Sequence, residues 1–523
     1  MDSKTSLLDR LNDSNLSLDE RAHLRCHLAQ ELEDAGQYED AHRALGDLWP
    51  RLGERPLIDA LDSGTAAQVL LRAGALLGWI GKIKQIAGAQ EAAKDLISES
   101  IEIYESLGEA EKAAAARSDL SVCYWREGLY DEAQIILRNA LDQFKNNLDQ
   151  RALALARLAL AQRSANHPSD ALWSLNEATP LVKESASDSL KGRYHVELAM
   201  TLRNLGTAER REDYIDRAIV EFTAASFHFE QAGHTQYFAA VENNLGFLLF
   251  KTKQFEEAHE HLNRARRLFT SLRDKSHVAQ VDDTRARALL AQGHYSEAER
   301  IARASVCTLE HGDEHAALSE ALLTHGTALA RLSHTEQAFS TLQRALELAA
   351  RMDDIYRAGL SALTIVEELG ETLTVAEMLA FYEQADDKLA QAQQPETTER
   401  LRLCARRVLD TGRDLLMVAN GEQSLSHAVD ILAEQLTRTA QRKGEWQGCS
   451  LEDEVLRYEG SLIRLALDTA RGHITQAARL LGITHQGLSY ILQGRHKSLL
   501  AVRKPPKARR RSIFKIPSRQ RVS

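Results

Sequence analysis

Small residues recur in pairs twelve positions apart along most of this chain: Ala29/Ala41, Gly81/Ala93, Ser121/Ala133, Ala159/Ala171, Gly206/Ala218, Gly246/Ala258, Ala286/Ala298 and Gly326/Ala338. From Ala93 onward the second members follow one another at 40, 38, 47, 40, 40 and 40 residues; the first interval, 52, holds an insertion around Pro50 to Ala66. A third small residue stands seven positions later at Ala140, Ala178, Ala225, Ala265, Ser305 and Ala345, and Tyr38, Tyr130, Phe255 and Tyr295 precede their small residues by three. Such a period marks a stack of supersecondary units, none able to bury its apolar face alone. Short side chains at these offsets let two antiparallel helices, and the next helix stacked on them, approach closely. With 8 Pro in 523 residues and abundant Ala, Leu, Glu, Gln and Arg, the fold class is all-α, with no sheet of consequence.

The stretch Asn244-Leu-Gly-Phe-Leu-Leu-Phe-Lys-Thr-Lys-Gln-Phe-Glu-Glu-Ala258 resembles the tetratricopeptide repeat, and the resemblance covers roughly residues 20 to 350. A ninth unit is expected around Ala376, with Thr364 at the earlier small position. The usual unit has 34 residues, so about 6 more per repeat lengthen each helix by nearly one turn. The resemblance implies a helical-hairpin solenoid over 1–390, of eight to nine repeats, whose concave face binds a protein or peptide. Residues 391–449 break the period. Gln391-Ala-Gln-Gln-Pro395 and Gly444-Glu-Trp-Gln-Gly-Cys-Ser450 read as linkers around two amphipathic helices, Glu399 to Ala419 and Leu425 to Lys443, expected to cap the solenoid or form a dimer seam.

Near the C-terminus, the stretch Gly472 to Leu492 has helix-turn-helix spacing. Ala478 and Gly482, four apart, suit the crossing point and the tight turn, while Ala477, Leu481, Ile483, Leu488 and Ile491 suit a miniature core. Thr475 and Thr484 are expected as N-caps. Ser450-Leu-Glu-Asp453 has capping-box spacing and opens a helix with Val455, Leu462 and Ala466 on its apolar face. The runs Tyr458-Glu-Gly-Ser-Leu-Ile-Arg-Leu-Ala-Leu467 and Arg471-Gly-His-Ile-Thr-Gln-Ala-Ala-Arg-Leu-Leu-Gly-Ile-Thr484 are similar to the Fis-type DNA-binding domain, here 450–499. That resemblance implies a second helix in the major groove, with Thr484, His485 and Gln486 at base edges and Ser489 and Tyr490 one turn on. Thr475, Arg495, His496 and Lys497 complete the candidate DNA-binding set. Fis proteins carry Arg and Lys at several positions where this chain has His485, Ser489 and Tyr490. The resemblance also implies a homodimer, its seam over Leu451 to Leu467.

Charge separates the two ends. From Thr469 to Ser523 there are 13 Lys and Arg and no Asp or Glu, so a chain of net charge −10 divides into a body near −23 and a tail near +13. This is the footprint of a polyanion-binding end. Residues 500–523, with Lys504-Pro-Pro-Lys-Ala-Arg-Arg-Arg511, read as a basic disordered tail able to lie on phosphates.

Five scattered cysteines without a Cys-x-x-Cys pair point to a reducing compartment and no zinc site. The N-terminus lacks a basic and apolar leader pattern, and apolar runs such as Leu245 to Phe250 are too short for a bilayer, so the expected location is cytoplasmic, with no membrane partner. Gly-x4-Gly-Lys-Ser/Thr, Gly-x-Ser-x-Gly and His-Glu-x-x-His are missing, and the pairs His259/His261 and His311/His315 read as polar helix faces. No catalysis, cofactor or metal is expected. The sequence thus reads as a bacterial DNA-binding transcriptional regulator, its solenoid sensing a protein or peptide and its helix-turn-helix binding double-stranded DNA. The alternative is an interaction scaffold whose helix-turn-helix contacts protein.

Overall fold

A computed structural model describes residues 15–312, 314–390 and 395–418, most of 463–499, and residues 7, 10 and 11. These form two compact units divided between Asp414 and Leu415.

The first unit is a run of antiparallel helical hairpins. In chain order they are α1 (Leu18–Asp34) with α2 (Tyr38–Leu45), α3 (Ser63–Ile83) with α4 (Ala89–Ser106), and α5 (Ala110–Arg126) with α6 (Tyr130–Leu141). Next come α7 (Leu148–Ser164) with α8 (Pro168–Glu184), α9 (Asp188–Glu209) with α10 (Glu212–Gln231), and α11 (Thr235–Lys251) with α12 (Phe255–Ser271). The run continues through α13 (Lys275–Ala291) with α14 (Tyr295–Leu309), α15 (His315–Arg331) with α16 (Thr335–Arg351), and α17 (Ile355–Leu369) with α18 (Val375–Leu389). Every described residue in regular secondary structure is helical.

The paired small residues lie at the closest approaches. A methyl group on Gly246 would stand 2.6 Å from Leu262 Cγ, one on Gly326 2.6 Å from Leu342 Cγ, and one on Gly81 2.3 Å from Ala89 Cβ. Ala41, Ala93, Ala133, Ala171, Ala218, Ala258, Ala298 and Ala338 are each fully buried. Between the helices of each of the first eight hairpins the chain turns through a left-handed residue; after α11 this is Lys253 (φ 64°), and the Gln254 N–H donates to Leu249 O at 2.9 Å. The insertion after α2 is anchored by Trp49, fully buried, whose indole N–H donates to Glu54 O at 2.8 Å.

The ninth hairpin is present but not in the expected register. Ala376 is exposed, and the inward residues of α18 are Met378, Ala385 and Leu389. The tight contact comes instead from Gly359, where a Cβ would meet Leu389 Cγ at 2.6 Å. Among the described residues one helix, α3, is long and apolar enough to cross a membrane; most of it is buried against its neighbours, as in a core helix.

The stack ends on α19 (Pro395–Val418), which begins at Pro395, a residue assigned above to a linker. Proline suits the first helical turn, where its missing N–H has no intrahelical partner to lose. Cys404 and Val408 pack into the core of the last hairpin, Arg400 pairs with Glu367 at 2.7 Å, and Arg407 Nη1 donates to the carbonyls of Val366 and Glu367 near the end of α17. These contacts cover apolar residues of the last hairpin and two of the terminal carbonyls of α17. The expected helix over 425–443 lies outside the described residues.

The second unit contains α20 (Ile474–Leu480) and α21 (His485–Gly494). Its core joins Ile463, Ala466, Leu467 and Ala470 to Ile474, Ala477, Ala478, Leu488, Leu492 and Leu499, with Leu481 and Ile491 partly buried. Ile483, expected in this core, is 39% exposed. Gly472 turns the chain into α20 with φ 78°, and its N–H donates to Leu467 O at 2.8 Å. The Ser450–Asp453 capping box, Val455, Leu462, Gly482 and the basic tail fall outside the described residues.

Candidate nucleic-acid interface and repeat cavity

In the second unit the buried stripe of α21 is Leu488, Ile491 and Leu492, spaced three and four apart so that they share one side of the helix. Tyr490, 81% exposed, faces the other way, and Ser489, half-buried, lies beside the stripe; His485 is exposed in the first turn but stands seven positions before Leu492, on the stripe's own side. Gln486 lies in the helix, and Thr484 is outside the described residues. Gln493, exposed and seven positions beyond Gln486, continues the same face and was not among the expected contacts. Its signal was available, since i and i+7 coincide on a helix.

Two expectations change here. The N-cap of α20 is His473, with no side-chain capping bond, and Thr475 is an exposed residue of the first turn, so its hydroxyl does not cap. His496 is 8% exposed, its N–H donating to Ile491 O at 3.2 Å, which removes it from the outward set. Arg495 and Lys497 remain exposed beside it, and Arg479 is exposed on α20.

The first unit encloses a cavity of about 750 Å³, lined mainly by the first helices of hairpins one to six. Its lining follows the repeat. The residue six positions before the first small residue of each unit is on the wall every time: His23, Ala75, Ala115, Leu153, Met200 and Ala240. Nine positions before, from the second unit on, stand Arg72, Lys112, Gln150, Glu197 and Tyr237. Counting back from the small pairs would have found them; their mixed chemistry hides them from motif reading.

Three wall carboxylates are neutralised locally. Glu33 meets Arg72 at 2.5 Å, Asp119 meets Arg157 at 2.7 Å and Glu197 meets Arg163 at 2.9 Å. Burial lifts the Glu33 carboxyl above its usual range, with Arg72 opposing the shift. Burial also pushes the Cys26 thiol up to about 12 and the Cys123 thiol to about 11, which keeps both inert at neutral pH.

Two cations are placed differently. Arg126 lies over the Trp79 ring, 4.0 Å from its centroid, and Arg193 over the Tyr237 ring at 5.0 Å. Gly78 makes room for the first: a Cβ there would stand 2.7 Å from Arg126 Nη1. Trp79 and Tyr237 meet edge-on at 6.3 Å although hairpins two and six contribute them, so the hairpin array has curled until its sixth unit reaches its second. The first unit joins the same contact: Tyr38 stacks on Trp79 at 5.1 Å, and Gly36 packs on His234, where a Cβ would come within 2.5 Å of the imidazole.

Helical hairpins stacked at a period near 40, followed by a small helix-turn-helix unit, define an all-α repeat protein with a helix-turn-helix domain. A tetratricopeptide-repeat family model matches residues 237–306, and the model described as bacterial regulatory protein, Fis family, matches residues 457–493. The chain carries tetratricopeptide repeats and a Fis-family helix-turn-helix domain. No curated protein matches it.

Among solved structures, the chain is similar to the apo form of RapI, at 13% identity over 75% of this chain and 100% of that one, with a TM-score of 0.47. It is also similar to a Rap protein complexed with competence and sporulation factor, at 13% identity over 68% and 99%, with a TM-score of 0.46. A third is a signal transduction ATPase with a tetratricopeptide repeat sensor from Pyrococcus horikoshii, at 12% identity over 77% and 69%, with a TM-score of 0.47.

Proposed function

We propose that this protein is a cytoplasmic, sequence-specific DNA-binding transcriptional regulator that acts by binding rather than by catalysis, with the repeat unit as its sensor for a protein or peptide signal. The observation that carries the reading is the Fis-family domain at 457–493, together with the stretch from Thr469 to Ser523 that overlaps it and holds 13 basic and no acidic residues. The first turn and outward face of α21 supply chemistry for base edges and backbone: His485 at the helix start, Gln486 and Gln493 can hydrogen-bond bases, and Ser489 and Tyr490 can donate to phosphates. Arg479, Arg495, Lys497 and the basic tail supply the phosphate attraction that the helix itself lacks. A lone recognition helix covers few base pairs, so a homodimer on half-sites about 34–36 Å apart is part of the proposal.

The test is selection of duplexes from a random pool by the full chain and by a chain ending at residue 449. Enrichment of one motif by the full chain alone supports the reading. A full chain that shifts no duplex even at low salt leaves the scaffold alternative, in which α21 and the exposed Leu480 and Ile483 meet a protein.

A further inference from the structure

The cavity between hairpins one and six has an unbalanced wall. Glu33, Asp119 and Glu197 each have their own arginine, which leaves Arg126 and Arg193 with no carboxylate in salt-bridge distance among the described residues. Asp34 is the remaining acid on this wall; among the described residues it has no salt bridge within 4.0 Å, and of the cations acting on it at longer range Arg193 is the strongest. The Arg126 Nη2 group is buried without a hydrogen-bond partner in the protein, and the one hydrogen bond of Arg193 among the described residues is long, 3.5 Å, to the Tyr237 hydroxyl. Both guanidiniums instead lie over aromatic rings that meet each other, 4.0 and 5.0 Å from the ring centroids, and most of their N–H groups stay uncommitted. A buried donor left open carries its full desolvation cost until an acceptor reaches it.

Resting on the reading of the repeat unit as a sensor, we infer that this cavity binds a short acidic peptide, with a carboxylate received by Arg126 and Arg193. Three features select that chemistry. A planar carboxylate accepts two parallel N–H bonds from a guanidinium, a pairing that the open donors of Arg126 and Arg193 can supply. A phosphate group, with more negative charge, would meet Asp34, the wall acid with no arginine in salt-bridge distance, at greater repulsive cost. Ala75, Val122, Leu153 and Met200 give the remaining wall an apolar character that suits the rest of a peptide. A volume of about 750 Å³ lies within the range of small-ligand sites and excludes a folded domain.

The experiment offers the full-length protein pools of random pentapeptides. One pool has free C-terminal acids and neutral side chains, one has amidated ends with a single Asp or Glu, and one is amidated and neutral; succinate and phenylacetate are offered separately as free small acids. Bound species are quantified by native mass spectrometry. The expected result is enrichment of an acidic pool over the neutral amides by about tenfold, lost to a similar degree in Arg126→Gln and in Arg193→Gln and partly kept in Arg126→Lys. Circular dichroism of each variant checks its fold. In the unaltered protein, phenylglyoxal labelling of Arg126 should slow when the enriched pool is present, a readout that needs no mutant. Equal retention of neutral amides, unaffected by either substitution, overturns the acidic-ligand inference and leaves the peptide-sensor reading standing. Arginine-dependent binding of succinate or phenylacetate, with no peptide pool retained, overturns the peptide assignment and keeps the carboxylate site. Failure of every arm overturns both.

Discussion

Replacing Gly326 by Ala tests whether the small-residue register holds the hairpins together. Two opposing terms act. Ala is a better helix former than Gly by about 1 kcal/mol, which favours the variant. The added methyl, however, would stand 2.6 Å from Leu342 Cγ and Cδ2 and 3.3 Å from the Leu342 backbone N, and Leu342 is fully buried. Cγ is not the free end of a side chain, so α15 and α16 must separate by a few tenths of an ångström or Leu342 must leave its rotamer. Overpacking of this kind costs about 1–3 kcal/mol, giving a net destabilisation of about 0–2 kcal/mol. Leu342→Ala alone should cost about 2–5 kcal/mol through its cavity. In the double variant the new methyl occupies part of that cavity, so the two losses should fall short of their sum by about 1 kcal/mol. Because a repeat array opens locally, the measurement is hydrogen-exchange protection in peptides spanning 315–351 of the full chain. Gly312→Ala, whose Cβ would have no neighbour nearer than Leu309 O at 3.8 Å, serves as the control. A Gly326→Ala variant about 1 kcal/mol more protected, with an additive cycle, would show that propensity alone acts and would refute close approach at this position.

Replacing His485 and Gln486 by Ala is expected to cost about 1–3 kcal/mol of preference for each base edge no longer read, with little change on random duplex; equal losses on both, in competition binding, would show that they do not read bases. Deleting residues 502–523 should weaken binding to all duplexes alike and reduce the log–log salt slope by about 0.9 for each phosphate the tail no longer neutralises, which titration at several salt concentrations measures. His234 is fully buried, accepts from the Tyr237 N–H at 3.2 Å and stacks on the Tyr237 ring at 4.0 Å. Burial, reinforced by Arg193, lowers its pKa to about 3. The unfolded chain therefore binds more protons between about pH 6.5 and 3, so the contact of Gly36 and Tyr38 with His234 should be full above pH 6.5 and weaken as pH falls, by up to about 1.4 kcal/mol per unit. Exchange protection of residues 30–40 that is flat from pH 7 to 5, after correction for intrinsic rates, would refute it. Sedimentation of the full chain at micromolar concentration tests the dimer, and a strict monomer that footprints a single half-site would remove it from the proposal.

The repeat was legible because its register is set by sterics. Positions where helices touch cannot carry a large side chain whatever the unit binds, and the paired positions from Ala29 to Ala338 are buried in the structure. The register failed at the ninth unit because close approach moved to Gly359 against Leu389, a pairing of different spacing, which left Ala376 at the surface. Pro395 was misread for a related reason: a proline ends one helix as readily as it starts another, and only the tertiary contacts of Arg400 and Arg407 settle which. In the small domain the apolar pattern located both helices, but the boundary chemistry was less clear. His473 takes the N-cap position without a side-chain bond, and His496 folds under the end of α21 after the helix has ended, where periodicity no longer predicts a face.

The cavity and the closure of the array are one aromatic assembly. Tyr237 receives Arg193 on its ring, stacks on His234 and meets Trp79; Trp79 carries Arg126 and stacks on Tyr38 from the first hairpin. A ligand carboxylate that draws either guanidinium off its ring thus acts directly on residues that join hairpins one, two and six. Binding can shift the closure only by the difference in affinity between the joined and parted arrangements, and the cation–π contacts broken or kept set that difference. Because the coupling is reciprocal, the factor by which the ligand favours closure is the factor by which closure favours the ligand, so changes at His234 or Gly36 that loosen the closure should alter ligand affinity by up to that factor, although neither residue lines the cavity.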